Sequence, residues 1–138
     1  MKKPVNSICY CIMLRRAASA VTELYDEALK NEGISLNQFS IIINLNKLGM
    51  ATTTELADHI GLERSTLVRN LKSIIAMGYI QDISEEGERN NQLTVTSEGR
   101  YLLKRTIPIW QSVQDKMTEM LGSKNAGLLM EMLYNLQT

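Results

Sequence analysis

The chain predicts a mostly α-helical fold with one small β wing: a winged helix-turn-helix, plus a helical dimerisation layer built from the N- and C-terminal helices. Three observations carry this. Two amphipathic helices meet at a glycine turn between Thr52 and Met77, and two short runs rich in β-branched residues follow at once across a polar loop. At either end of the chain lies a long helical pattern with an apolar stripe.

The first of the central helices reads Thr53-Thr54-Glu55-Leu56-Ala57-Asp58-His59-Ile60. Thr52 with Glu55 three residues on is a capping box, in which each side chain satisfies an amide that the helix start leaves without a partner. Gly61-Leu62 ends it, because glycine alone enters the left-handed exit conformation freely. The second helix spans about Glu63 to Met77 and stops at Gly78. At about 100° per residue, Leu67, Leu71, Ile74 and Ile75 gather on one side, which is expected to be core. Ser65, Arg69, Lys72, Ser73 and Ala76 gather on the other, with Thr66 at the edge and Arg64 at the entrance. No acidic residue occurs from Arg64 through Met77. Cations and hydroxyls on small, exposed positions suit a helix that enters a DNA groove, where they meet phosphates and base edges.

Tyr79-Ile80-Gln81-Asp82-Ile83 and Leu93-Thr94-Val95-Thr96 are the expected strands, joined by the turn-prone stretch from Ser84 to Gln92. An amphipathic helix pair alone is usually just packing. A hairpin directly behind it makes a wing, and the combination points to DNA.

Composition sets the bounds. The 138 residues suit one domain, and 44% hydrophobic against 22% charged residues mark it as globular. Fifteen basic residues balance fifteen acidic ones, so DNA binding must rest on local clustering and not on a general positive field. No apolar run approaches the roughly 20 residues of a membrane span. Arg15 and Arg16 interrupt the patch from Ile8 to Leu14, and no small-residue cleavage site follows, so no signal peptide is expected and the cytoplasm is the expected compartment.

Taken in order, Val5 to about Glu32 is a long helix with Ile8, Ile12, Ala20, Leu24, Ala28 and Leu29 on its stripe, closed by Gly33. Cys9 and Cys11 lie in its first half. Two residues apart on a helix they diverge by about 200°, so they do not readily bond to one another. They read as small hydrophobes or, if exposed and of low pKa, as redox-responsive thiols. Ser35 and Gln38 form a second capping box, followed by the apolar Phe39, Ile42, Ile43, Leu45 and Leu48. Gly49 closes that helix, and Met50-Ala51-Thr52 is a candidate extra strand. Behind the wing, Thr96 or Ser97 opens a helix to about Leu121, in which Pro108 predicts a kink or a break. Its apolar face is Leu102, Leu103, Ile107, Trp110, Val113, Met117, Met120 and Leu121. Gly122-Ser123 separates a last helix carrying Leu128, Leu129, Met132, Leu133 and Leu136. One domain over 1–138 results, with a winged lobe at 35–97 and the dimerisation layer at 5–32 and 98–136. The terminal helices hold more apolar surface than so small a lobe can cover, which suggests a homodimer, and a twofold dimer matches a palindromic operator.

In these features the chain resembles the MarR family, the multiple antibiotic resistance regulators, over nearly its whole length. The resemblance rests on Leu14-Arg15-Arg16-Ala17-Ala18 with Leu24-Tyr25, on Leu36-Asn37-Gln38-Phe39, and on Glu55-Leu56-Ala57. It continues through Gly61-Leu62-Glu63-Arg64-Ser65-Thr66-Leu67, Arg69-Asn70-Leu71-Lys72, Gly78-Tyr79-Ile80 and Leu93-Thr94-Val95-Thr96-Ser97-Glu98-Gly99. It implies a homodimeric winged-helix repressor of palindromic operators, released by small phenolic or other lipophilic ligands or by thiol oxidation. Carried over by position, it places Ser65, Thr66, Arg69 and Lys72 on the reading helix and makes Arg89 the wing-tip arginine that reaches a minor groove. The wing departs from the family pattern: Glu85-Glu86-Gly87-Glu88-Arg89-Asn90 has three acids for one cation. Acids near phosphates repel, so weaker wing contacts and a smaller salt-sensitive component are expected. Some relatives sense organic peroxides through a cysteine near the start of the first helix that is hydrogen-bonded by tyrosines from the dimer partner. Cys9 or Cys11 lies in the matching region and Tyr25 offers a hydroxyl, but Phe39 occupies a position where another tyrosine would be needed.

The sequence does not read as an enzyme and calls for no cofactor. It has no glycine-rich phosphate loop and no Ser-His-Asp set, and its single histidine, His59, with two ill-spaced cysteines makes no metal site. The rival reading is a winged-helix module that binds another protein and not DNA, motivated by the acidic wing and the zero net charge. A ligand pocket, if one forms, is expected between the dimer layer and the winged lobe. The methionines at 117, 120, 130 and 132 suit adaptable apolar packing there or in the core.

Overall fold

The computed structural model describes residues 9–137. Six helices and one hairpin follow in order: α1 Tyr10–Leu29, α2 Leu36–Leu48, α3 Thr53–Ile60, α4 Arg64–Ala76, β1 Ile80–Asp82, β2 Leu93–Val95, α5 Ser97–Leu121 and α6 Ser123–Asn135. A single 3-10 turn, Lys30–Glu32, closes α1 before Gly33. The expected start of the first helix at Val5, and Ile8 on its stripe, lie outside the described residues.

Local chemistry sets the boundaries of α2 and α3. Both expected capping boxes form: the Gln38 amide donates to Ser35 Oγ, and the Glu55 amide donates to Thr52 Oγ1. In return the Ser35 and Thr52 amides donate to the Gln38 and Glu55 side chains. Asp26, on α1, also accepts from the Leu36 amide at 2.7 Å and so ties the end of α1 to the start of α2. Gly61 leaves α3 at φ 79°, which turns the chain sharply into α4.

β1 and β2 pair antiparallel with Ile80 opposite Val95 and Asp82 opposite Leu93. The candidate third strand is reduced to one residue: Ala51 exchanges two backbone bonds with Leu93, at 3.1 and 2.8 Å. The core lies between α2, α3, α4, the hairpin and the first half of α5, with Ile41, Ile42, Leu45, Leu56, Leu67, Ile74 and Leu102 fully enclosed. Phe39 stacks on Trp110 with ring centroids 6.0 Å apart, joining α2 to α5.

Several expectations need correction. Ile41 is a central core residue that the α2 stripe omitted, whereas Leu48, in its last turn, is exposed. Ile75 is exposed too, because the buried stripe of α4 is only as wide as Leu67, Leu71 and Ile74. Of the kink or break expected at Pro108, the break does not occur: α5 runs as one helix to Leu121. Pro108 and Lys104, whose carbonyl would have accepted from an amide at 108, are both exposed, so water can take the place of the lost donor. Ile12, Leu24, Ile107, Met120, Leu128, Met132 and Leu136, on the stripes of the expected dimerisation layer, are exposed in the single chain, which is not a correction of that expectation.

Gly99 is held by space. A Cβ there would lie 2.3 Å from the Tyr79 carbonyl oxygen and 2.6 Å from Val95 Cγ1, so α5 packs directly on the base of the hairpin. Gly99→Ala is expected to cost about 1–3 kcal/mol through overpacking. It should lower the urea midpoint with the denaturant slope unchanged. An unshifted midpoint would mean the hairpin base yields freely.

Candidate nucleic-acid interface

α4 divides along its length. Leu67, Leu71 and Ile74 enter the core, while Arg64, Ser65, Arg69, Lys72, Ser73 and Ala76 are exposed and Thr66 is half-buried. Asn70 is half-buried and turned inward on the helix, its Nδ2 donating to the Thr66 carbonyl at 2.9 Å. The structure adds Val68, 43% exposed on the same outer surface. A β-branched residue gains little in a solvated helix, so neither propensity nor packing explains a valine there. That is the one sign by which the sequence pattern could have drawn attention to it.

The wing is built by side chains that bond its own backbone. Asp82 Oδ1 accepts from the Ser84 and Gln92 amides, both at 3.0 Å, and so fastens the two legs of the loop together. These bonds, Gln92 first and Ser84 second, hold the Asp82 carboxyl below its ordinary value of 3.8. Glu88 turns back to accept from the Glu85 amide at 2.8 Å. Two acids in and beside the wing are therefore engaged in shaping it. Arg89 is exposed nearby.

Wing and helices meet in an open groove of about 350 Å³ that brings Arg64, from the start of α4, and Arg89, from the wing, onto one concave surface. Thr52, Thr53 and Thr54, from the start of α3, line it, with Ser84, Asn90 and Asn91 from the wing and with the Asp82 and Glu88 carboxylates. Among the described residues the ion pairs are Lys30–Glu27 and Arg105–Glu32, so Arg64, Arg69, Lys72 and Arg89 are all uncommitted. Uncommitted guanidinium and ammonium groups beside hydroxyls and helix-start amides can neutralise and hydrogen-bond an anionic backbone.

Cys9 precedes α1 at its N-cap position and Cys11 lies in its first turn; both are free and exposed. Tyr25, the hydroxyl offered in the peroxide-sensing expectation, is buried further along α1, where within the chain it donates to Gln114 Oε1 of α5. Burial pushes its phenol above the ordinary value of 10.0. Tyr25 stands at the edge of an apolar cavity of about 620 Å³ between α1, α5 and α6, lined by Leu14, Val21, Met117, Leu129 and Leu133 among others. This cavity lies inside the helical layer formed by α1, α5 and α6. His59 is exposed on α3, and no group of three His, Cys, Asp or Glu residues able to hold a metal occurs among the described residues. No helix among them is long and apolar enough to cross a membrane.

Comparison with known proteins places this geometry. The MarR family model matches residues 34–87, the stretch from α2 to the wing. The transcriptional regulator MosR of M. tuberculosis, solved in complex with DNA, shares 32% identity over 94% of this chain and 93% of its own, with a TM-score of 0.83. The chain belongs to the MarR family. The HTH-type transcriptional regulator SarZ of Staphylococcus haemolyticus is 29% identical over 90 residues, 64% of this chain; the match spans 61% of SarZ, less than two-thirds of its length. The transcriptional repressor CouR, bound to a 23-mer DNA duplex, superposes over the full length of both chains with a TM-score of 0.86; at 24% identity this shows the shared fold. The winged-helix architecture of this MarR-family chain is thus the one read from its sequence.

The lowered Asp82 pKa gives a pH prediction of definite sign. A carboxyl depressed in the folded state adds stability that is present above its unfolded value of 3.8 and lost as pH falls through its folded value. The difference in urea midpoint between the wild type and Asp82→Ala is expected to stay constant at neutral pH and shrink only below 3.8. A gap that closes while the pH is still well above that value would show that the two amide bonds do not hold the carboxylate.

Proposed function

We propose that this MarR-family protein is a sequence-specific DNA-binding transcriptional regulator, acting as a homodimeric repressor at a palindromic operator. The observation that carries it is the set of uncommitted cations, Arg64, Arg69, Lys72 and Arg89, on the exposed face of α4 and the adjoining wing. MosR and CouR, each solved with DNA, supply the analogy. Arg69 and Val68 are assigned to base edges, Val68 by apolar contact with a thymine methyl. Arg64, Ser65, Thr66, Lys72 and Ser73 are assigned to phosphates and groove walls, and Arg89 to a minor groove beside the wing.

The homodimer is proposed from surface chemistry. Ile12, Met13 and Leu14 of α1 and Leu128, Met130 and Met132 of α6, with Leu136 at its C-cap, are exposed and apolar, more than isolated surface residues would account for. The twofold partner would cover them with the same elements. Release of repression would act through this layer, by a small lipophilic or phenolic ligand in the cavity beside Tyr25 or by oxidation of Cys9 or Cys11. The rival protein-binding reading rested on the acidic wing and the zero net charge. Of the three wing acids Glu85, Glu86 and Glu88, only Glu88 is engaged in forming the loop, so the salt dependence of binding decides between the two readings.

The test is fluorescence anisotropy on a duplex selected by the protein from a randomised pool, against random duplex, at several salt concentrations. Arg69→Ala is expected to weaken the selected duplex about tenfold to a hundredfold, through roughly 1–3 kcal/mol of lost base contact, and to spare random DNA. Lys72→Ala should weaken both alike and reduce the salt slope by about one. Equal losses on both duplexes for Arg69→Ala would remove it from base reading. Failure of any duplex to be enriched would overturn the regulator reading.

A further inference from the structure

Asn91 bridges two parts of the chain that are distant in sequence. Its Oδ1 accepts from the Thr53 amide at 2.9 Å, and its Nδ2 donates to Thr53 Oγ1 at 2.5 Å. Thr53 is the first residue of α3 and is buried, while Asn91 is half-buried where the wing loop returns toward β2. The Thr53 amide is one of those a helix start leaves without an intrahelical partner, and the Thr52–Glu55 box does not reach it. The wing thus supplies the missing acceptor and uses both ends of one carboxamide to do so.

We propose that Asn91 is the positioning residue that aims the wing. It fixes the returning leg of the loop to the start of α3, which sets where Arg89 stands relative to Arg64 across their shared groove. Past Asp82 and Gln92 the loop is held by its own short-range bonds, which shape the loop but do not fix its direction. The Asn91–Thr53 pair is the side-chain bond between the wing loop and the helix pair among the described residues. Without it the loop pivots on the hairpin, and a contact made by Arg89 must then bear the entropy of ordering the whole loop. Asn91 itself need not touch DNA.

The inference rests on the DNA-binding reading, and the experiment separates the two. Binding of the selected duplex is measured for Asn91→Ala, Arg89→Ala and the double variant, and in parallel for Asn91→Ala combined with Arg69→Ala. Arg89→Ala is expected to weaken binding about threefold to tenfold, the scale of one charge-assisted contact in an exposed site. Asn91→Ala should come close to the same loss, and the double variant should be no weaker than Arg89→Ala alone. Combined with Arg69→Ala, the losses should multiply, because α4 does not depend on the wing's direction. A residue that merely stabilises the fold would couple to both arginines or to neither. Thr53→Val removes the hydroxyl and leaves the amide bond, so it should give a smaller loss with the same coupling; it carries the test should Asn91→Ala fail to fold. Multiplying losses for Asn91→Ala and Arg89→Ala, or no loss from Arg89→Ala, would overturn the inference. Loss of effect from Arg69→Ala as well would overturn the DNA-binding reading beneath it.

Discussion

The paired bonds between Ala51 and Leu93 are the constraint on which the site depends. Leu93 belongs to β2, so through β1 it is tied to the end of α4, while Ala51 leads directly into the capped start of α3. Two backbone bonds therefore bring together chain segments more than forty residues apart and place the wing against the helix pair. Both residues are almost fully buried, which keeps water from competing for those bonds. Gly99 sustains the arrangement from behind by letting α5 lie directly against Tyr79 and Val95.

On this frame, α4 serves two purposes with one sequence. Its inner residues are few, and Leu67, Leu71 and Ile74 suffice because α2 and α3 meet them with fully buried partners such as Ile42, Leu45 and Leu56. A narrow inner stripe leaves a wide outer surface. That width is why Ile75 and Val68 are exposed beside Arg69 and Lys72, and why the helix can project far enough to enter a groove.

What could be read from the sequence was local. Capping boxes at Ser35 and Thr52, the turn at Gly61 and the two strands each follow from residues within a few positions of one another, and all form where the pattern puts them. The set of outward cations followed from helical periodicity alone. Harder to read were features set by tertiary contact. Ile41 is buried because α2 is enclosed on more than one side, which a single stripe does not reveal. Leu128, Met132 and Leu136 are apolar at helical spacing yet exposed, since a partner surface and not this chain would complete their packing. The Asn91–Thr53 pair spans 38 residues, and no sequence periodicity relates its members.

The acidic wing and the zero net charge then acquire a common explanation. A protein with balanced charge has little long-range attraction for DNA, so its binding must come from short-range contacts that are accurately placed. Accurate placement requires a wing of fixed shape and direction. Asp82 and Glu88 supply the shape through backbone amides, and Asn91 supplies the direction through Thr53. Lysines in place of the two carboxylates would raise the general attraction and abolish the bonds that shape the loop. At Asp82 and Glu88 the acid therefore exchanges indiscriminate affinity for geometry, a choice that favours a protein selecting one site among many over one that coats a duplex.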